Sequence, residues 1–252
     1  MVAQHRTRVA PARASASAYK GDRRQLNRDA VRRRQSGAQR SASIQHTGKK
    51  NTVVRMAFFR DKRTSLHYLV RGHGEPLLLI HGLAGSGADW AFQVAALEKR
   101  FRVIVPDLPG SGHSPPPRDG YTIQGFAATL WSLLDQLGVE RTNIIGFSLG
   151  GAVALEMAAR RPSRVPRLGL INSLATYRPD HWRKWLETHV SAAVVRLLGM
   201  RRAAWLLAAR LFPEPWQRAL RRHAAAAVGA VPAHSYLGAG FALARWAIGS
   251  TS

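Results

Sequence analysis

Residues 146–151 read G-F-S-L-G-G, with Ser148 flanked at two-residue distance by Gly146 and Gly150. The pattern G-x-S-x-G suits a nucleophilic serine held on a sharp strand-to-helix turn. Alone it carries little information: with glycine near ~7% of residues, chance supplies it to roughly one chain in ten of this length. Its surroundings decide. Asn143–Gly146 reads as a short buried strand, and Gly150–Arg161 as an Ala-rich helix ended by Pro162. The serine therefore stands where a strand gives way to a helix. Glycines on both sides fit a turn too tight for Cβ atoms, and the helix N-terminus faces any negative charge that develops at the serine.

The same alternation runs upstream. Leu66–Arg71 is a strand candidate closed by G-H-G at 72–74, and Pro76–Ile80 is an apolar run of the kind buried on both faces. H-G-L-A-G-S-G at 81–87 is a glycine-rich loop, after which Asp89–Arg100 reads as a helix and Arg102–Pro106 as a strand. D-L-P-G-S-G-H-S follows at 107–114. Thr122–Leu137 is a helix with Thr122 as its N-cap and Gly138 as its stop, and Arg167–Asn172 is one more strand. This order predicts an α/β fold: a mostly parallel sheet with helices on both faces.

Beyond Ser173 the strand signals give out. Residues 182–212 are helical in pattern, with Leu186, Val190, Val194 and Leu197 as an apolar stripe and Pro213 as the stop. Five of the seven tryptophans fall in this last third, which marks it as a different kind of segment. Residues 224–244 carry no formally charged side chain. Gly229, Pro232, His234 and Ser235 nevertheless speak against a membrane-spanning helix there.

Charge divides the chain again. Residues 1–55 hold 14 Lys/Arg against Asp22 and Asp29, a net +12, while the remaining 24 Lys/Arg and 12 Asp/Glu are spread over 56–252. With little apolar content to bury, residues 1–55 are expected to be a disordered basic extension. They could touch nucleic acid or an anionic membrane, or be an artefact of an early start site, since Met56 opens M-A-F-F-R, where a folded domain can begin. No apolar segment follows the basic stretch, so no signal peptide is visible. The chain has no cysteine, which excludes disulfides, thiolate metal sites and a cysteine nucleophile, and suits a cytoplasmic protein.

Three stretches taken together, L-H-Y-L-V-R-G-H-G-E-P-L-L-L-I-H-G, D-L-P-G-S-G-H-S and N-I-I-G-F-S-L-G-G, make residues 56–173 resemble the N-terminal part of an α/β-hydrolase fold enzyme. The resemblance implies a serine hydrolase acting on a carboxylic ester, with Ser148 as nucleophile. It implies an oxyanion hole from the backbone N–H groups of Leu83 and Leu149, and Gly82, Gly146 and Gly150 as loop and elbow glycines. Residues 174–252 resemble a helical cap. A small-molecule substrate, hydrophobic by the apolar and aromatic content of that segment, is implied; no metal, cofactor, specific nucleic-acid partner or membrane span is expected. Fold members that use Asp as nucleophile are disfavoured by the serine at 148.

The same resemblance orders the triad as Ser, then Asp or Glu, then His. Asp107 and His113 precede the serine, so Asp107 is expected to stabilise its own loop and His81 to orient a loop. After Ser148 the acids are Glu156, Asp180, Glu187 and Glu214, and the histidines His181, His189, His223 and His234. Glu156 lies on the helix after the nucleophile, and the rest lie in cap-like sequence. The expectation is a hydrolase whose last strands, and with them the triad acid and base, are missing: a truncated enzyme or a non-catalytic relative that binds without turnover.

Overall fold

The structure is a computed structural model, and it describes residues 55–60, 65–176 and 182–248. The basic extension expected over 1–55 lies outside these residues except for Arg55, which already belongs to a strand. Asp180 and His181 lie outside them as well.

Six strands form one sheet: β1 (Arg55–Arg60), β2 (Ser65–Arg71), β3 (Glu75–Ile80), β4 (Phe101–Pro106), β5 (Asn143–Phe147) and β6 (Leu168–Ile171). Their order is β1-β2-β4-β3-β5-β6. The pairs β4–β3, β3–β5 and β5–β6 are parallel, and β1–β2 and β2–β4 are antiparallel. The sheet is thus mostly parallel, as the strand-then-helix order predicts. β1 has no counterpart in the sequence reading, because M-A-F-F is too short and irregular to announce a strand. It forms by pairing with β2, and Phe59 is buried there.

Helices α1 (Ala91–Leu97), α2 (Ile123–Gln136) and α3 (Leu149–Arg160) flank the sheet. Alternation along β3 and β4 explains why both sheet faces are buried. Leu77, Leu79, Val103 and Val105 pack with Trp90 and Val94 on one side. Leu78, Ile80, Ile104 and Ile144 pack with α2 and α3 on the other. The N-cap of α2 is as expected: the Gly125 N–H donates to Thr122 Oγ1 at 2.9 Å. The helix expected over Asp89–Arg100 is shorter and starts as a 3-10 turn at Gly87–Trp90.

Helices α4 (Trp182–Leu211), α5 (Arg218–Gly229) and α6 (Ala233–Arg245) follow the sheet. Gly199, at φ 76, breaks α4 into two helices. Of the expected stripe, Leu186, Val190 and Leu197 are exposed and only Val194 packs, against Val195, Met200 and Ala203, whereas Ala192, Val195, Met200, Ala203, Ala204 and Ala208 are buried. Small side chains win that face because they let helices approach closely, and a hydropathy pattern ranks Leu above Ala whichever face is covered. Among the described residues, one strand-like contact follows Ser173, a bridge between Thr176 and Ala247.

Side-chain hydrogen bonds help fasten this helical segment to the sheet layer. Trp246 is buried and its Nε1 donates to Glu156 Oε2 on α3 at 2.9 Å. The Tyr121 hydroxyl donates to Ser235 Oγ at 2.9 Å, and a Cβ on Gly238 would meet the Tyr121 ring at 2.3 Å.

Candidate active site

The loops that carry the candidate residues all leave the carboxyl ends of the parallel strands β3, β4, β5 and β6. An open α/β sheet places ligands there, because helices fill both faces and the strand ends stay free.

Ser148 follows β5 directly and precedes α3, with φ 51 and ψ −117. A non-glycine residue with this backbone is strained, costing of order ~1–3 kcal/mol, and such strain is kept only where surrounding contacts enforce it. Those contacts are visible. The Ser148 N–H donates to Ile171 O at 2.9 Å, and its carbonyl accepts from the Gly151 N–H at 2.9 Å. Ser173 Oγ donates to the same carbonyl at 3.0 Å. Close approach explains the glycines. A Cβ at Gly146 would sit 2.3 Å from Gly150 O, and one at Gly150 would sit 2.4 Å from Ile80 O. The elbow therefore closes only with glycine at both positions. The clamp by Ser173 could not be read from sequence, where Asn172-Ser173 showed only that no acid follows β6.

The start of the 81–87 loop lies against the turn, since a Cβ at Gly150 would sit 2.5 Å from His81 O. Leu149 opens α3, where the first N–H groups of a helix have no partner within it. Leu83 belongs to the 81–87 loop, which turns through a Gly85 N–H to Gly82 O bond of 3.1 Å and holds Ala84 at φ 60. Gly82 lies against Phe147, whose ring a Cβ there would meet at 2.8 Å.

His81 orients that loop. It is buried; its Nε2 accepts the Leu108 N–H at 2.9 Å, which leaves Nδ1–H to donate to Gly82 O at 2.8 Å. Burial lowers its pKa from the ordinary 6.5, outweighing the Gly82 carbonyl and the charges of Asp107 and Asp89. It is a neutral bridge between the 81–87 and 107–114 loops. Asp107 anchors the second loop. Its Oδ1 accepts the Gly87 N–H at 2.7 Å, and its Oδ2 accepts the His113 N–H and faces His67 Nδ1, both at 2.9 Å. Burial alone would raise its pKa; the hydrogen bonds from His113, His67 and the Gly87 N–H outweigh that and hold it well below the usual carboxylate range. His67, Asp107 and His113 offer ligand atoms within 4.8 Å of one another, the one such group among the described residues. Both Asp107 oxygens already receive N–H groups, so the trio is built as a loop clamp. His67 was not singled out in the sequence, since it lies 40 residues from its partner.

The later acids and histidines are dispersed. Glu156 bonds Trp246 and Arg160. Glu214 caps a short 3-10 turn with Gln217. His189 packs on Phe241, and His223 and His234 are exposed.

Beside Leu83 opens a cavity of about 230 Å³ lined by Ala192, Tyr236, Leu237, Phe241 and Leu243, from α4 and α6. Its wall is mostly apolar, with Ser191 and Tyr236 as its polar side chains. Burial raises the pKa of Tyr236, which keeps its hydroxyl protonated as a donor.

Residues 75–213 match the alpha/beta hydrolase fold family. Over 106 residues the chain is 41% identical to an uncharacterized protein of Mycobacterium tuberculosis, covering 42% of this chain and 31% of that one. Across eight similar curated relatives, the match spans between 31% and 55% of their length. Among solved structures it is similar to the enol-lactonase of Burkholderia xenovorans LB400, at 29% identity and TM-score 0.63, covering 72% of this chain and 71% of that one. It is also similar to a thermophilic esterase of Thermogutta terrifontis, at 25% identity and TM-score 0.64, covering 78% and 73%.

Proposed function

The chain belongs to the α/β-hydrolase fold family, and from that premise we propose that it is a serine hydrolase that cleaves carboxylic esters of hydrophobic acids through an acyl-enzyme on Ser148. The observation that carries the proposal is the strained backbone of Ser148 at the β5–α3 turn. Strain of that kind aims a side chain outward and persists at functional sites. In this reading Ser148 Oγ attacks the ester carbonyl carbon as a general base takes its proton; no described acid or histidine is assigned that role, so turnover stands or falls on that base. The C–O bond then breaks, and the alcohol leaves with that proton. Water repeats the attack on the acyl-serine and releases the acid. The Leu83 and Leu149 N–H groups hold the oxyanion, where losing one such donor typically costs ~10²–10³ in rate.

Helices α4–α6 serve as a cap in this reading, and the apolar cavity beside Leu83 receives the acyl chain. The esterase and lactonase among the similar structures act on carboxylic esters and their cyclic forms, in keeping with this substrate class.

A fluorophosphonate probe tests the proposal because it reads the base as well as the serine. A serine whose proton is drawn off labels rapidly; one without a base reacts like the free amino acid. Rapid labelling that disappears in Ser148→Ala supports the acyl-enzyme. No labelling of the full chain would overturn turnover and leave a protein that binds hydrophobic carbonyl compounds.

A further inference from the structure

The outer face of the helical segment is built from two residue types that rarely share a surface. From Met200 to Leu211, α4 buries Met200, Ala203, Ala204 and Ala208. The opposite face, at helical spacing, carries Arg201, Arg202, Trp205, Leu206 and Arg210, all exposed. Trp205 and Leu206 are each more than half exposed. Helix α5 runs back along α4: Arg221 donates to the Phe212 and Pro213 carbonyls at its start, and Gly229 at its end lies against Arg201 and Ala204. It adds exposed Arg218 and Arg222, and the turn before it adds Trp216 at 76% exposure.

Charge on this surface is one-sided. Residues 196–223 contain seven arginines, no lysine and a single acid, Glu214. Among the described residues no carboxylate pairs with any of the seven, since every recorded ion pair lies in the sheet layer. A face that is both cationic and rich in Trp and Leu matches the boundary of an anionic lipid bilayer. Arginine snorkels to phosphate there while Trp and Leu enter the acyl edge.

We propose that the α4–α5 face docks this protein on anionic membrane surfaces, without crossing them. No described helix is long and apolar enough to span a bilayer. The alternatives fit less well. A second copy would bring five more exposed arginines against Arg201, Arg202, Arg210, Arg218 and Arg222, and the chain's own segment 1–55 is itself at net +12, so both are repelled. A nucleic acid would engage the arginines but leave Trp205 and Leu206 against water.

The test uses the full chain in co-sedimentation with vesicles of phosphatidylcholine alone or mixed equally with phosphatidylglycerol. Binding is expected only to the mixed vesicles and to weaken with salt. Arg201→Gln/Arg202→Gln is expected to weaken it roughly tenfold or more, at about one kcal/mol per cation near the surface. Trp205→Ala/Leu206→Ala is expected to do the same, while Arg201→Lys/Arg202→Lys retains it. Unchanged melting temperatures would show that these exposed changes leave the fold intact. If both loss variants bind like the parent, the basic 1–55 segment is the anchor and the proposal fails. It fails equally if a double-stranded oligonucleotide binds through the arginines with no dependence on Trp205 and Leu206, or if Trp205→Ala abolishes self-association and vesicles do not bind.

Discussion

The indole of Trp246 and the carboxylate of Glu156 meet in the interior, Nε1 to Oε2 at 2.9 Å, across 90 residues of chain. The bond joins the end of the helical segment to the helix that follows Ser148. Replacing Trp246 by Phe leaves a buried carboxylate oxygen without its donor and opens space beside it. We expect a loss of about 2–4 kcal/mol in urea unfolding. Glu156→Gln keeps an acceptor for the indole and should cost less than Trp246→Phe; equal costs would mean the bond contributes nothing.

Ser148 holds a backbone that glycine adopts freely. Ser148→Gly should therefore lose fluorophosphonate labelling yet gain about 1 kcal/mol of stability, the strain relief exceeding the added chain entropy. Ser148→Ala, still strained, should gain nothing. Thermal melting of the two variants decides, and a Gly variant no more stable than Ala would refute stored strain at the elbow.

His81 makes the fold sensitive to mild acid. Its folded pKa lies below the ordinary 6.5, so below that pH the unfolded chain takes up a proton that the native state refuses. Stability is full above 6.5 and falls as pH drops through the window beneath it, by at most about 1.4 kcal/mol per pH unit. Asp107 adds its own loss only once the pH falls below its unfolded value of 3.8. His81→Gln should be less stable at neutral pH and should flatten the slope just below 6.5, measured by urea unfolding at a series of pH values. An unchanged slope would assign the titration elsewhere.

The cavity beside Leu83 offers a test of chain-length selectivity. A Cβ at Gly240 would lie 3.8 Å from Leu83 Cδ2, so alanine fits there without strain. Gly240→Leu fills the cavity instead. Short-chain esters should be hydrolysed nearly as before, and long-chain esters should lose specificity by tenfold or more in kcat/KM, about 1.4 kcal/mol. Equal losses for both would mean that the acyl chain lies elsewhere.

Most of the sheet was legible because each strand from β2 to β6 is a local apolar run punctuated by glycine or proline. The edge strand β1 was not, since its register exists only through β2. The helices of the last third were legible as helices, but their orientation was not. Leu186, Val190 and Leu197 point to solvent because the neighbouring helices pack closely on alanine faces. The elbow could be located from G-F-S-L-G-G. Its clamp by Ser173, and the His67–Asp107 bond, join residues 25 and 40 positions apart and leave no local pattern.

The sequence alone determined the α/β class, the strand-turn-helix at Ser148 and the loops that converge on it. These are set by short-range preferences: glycine where Cβ atoms collide, apolar runs where both sheet faces are buried, a threonine where a helix begins. Tertiary structure decided what the later segment does with its side chains. It buried Trp246 on Glu156, opened an apolar cavity beside Leu83, and turned arginines and tryptophans outward together. Those outcomes depend on which distant surfaces meet, and hydropathy along the chain records only the tendency of each residue to be covered, not by what.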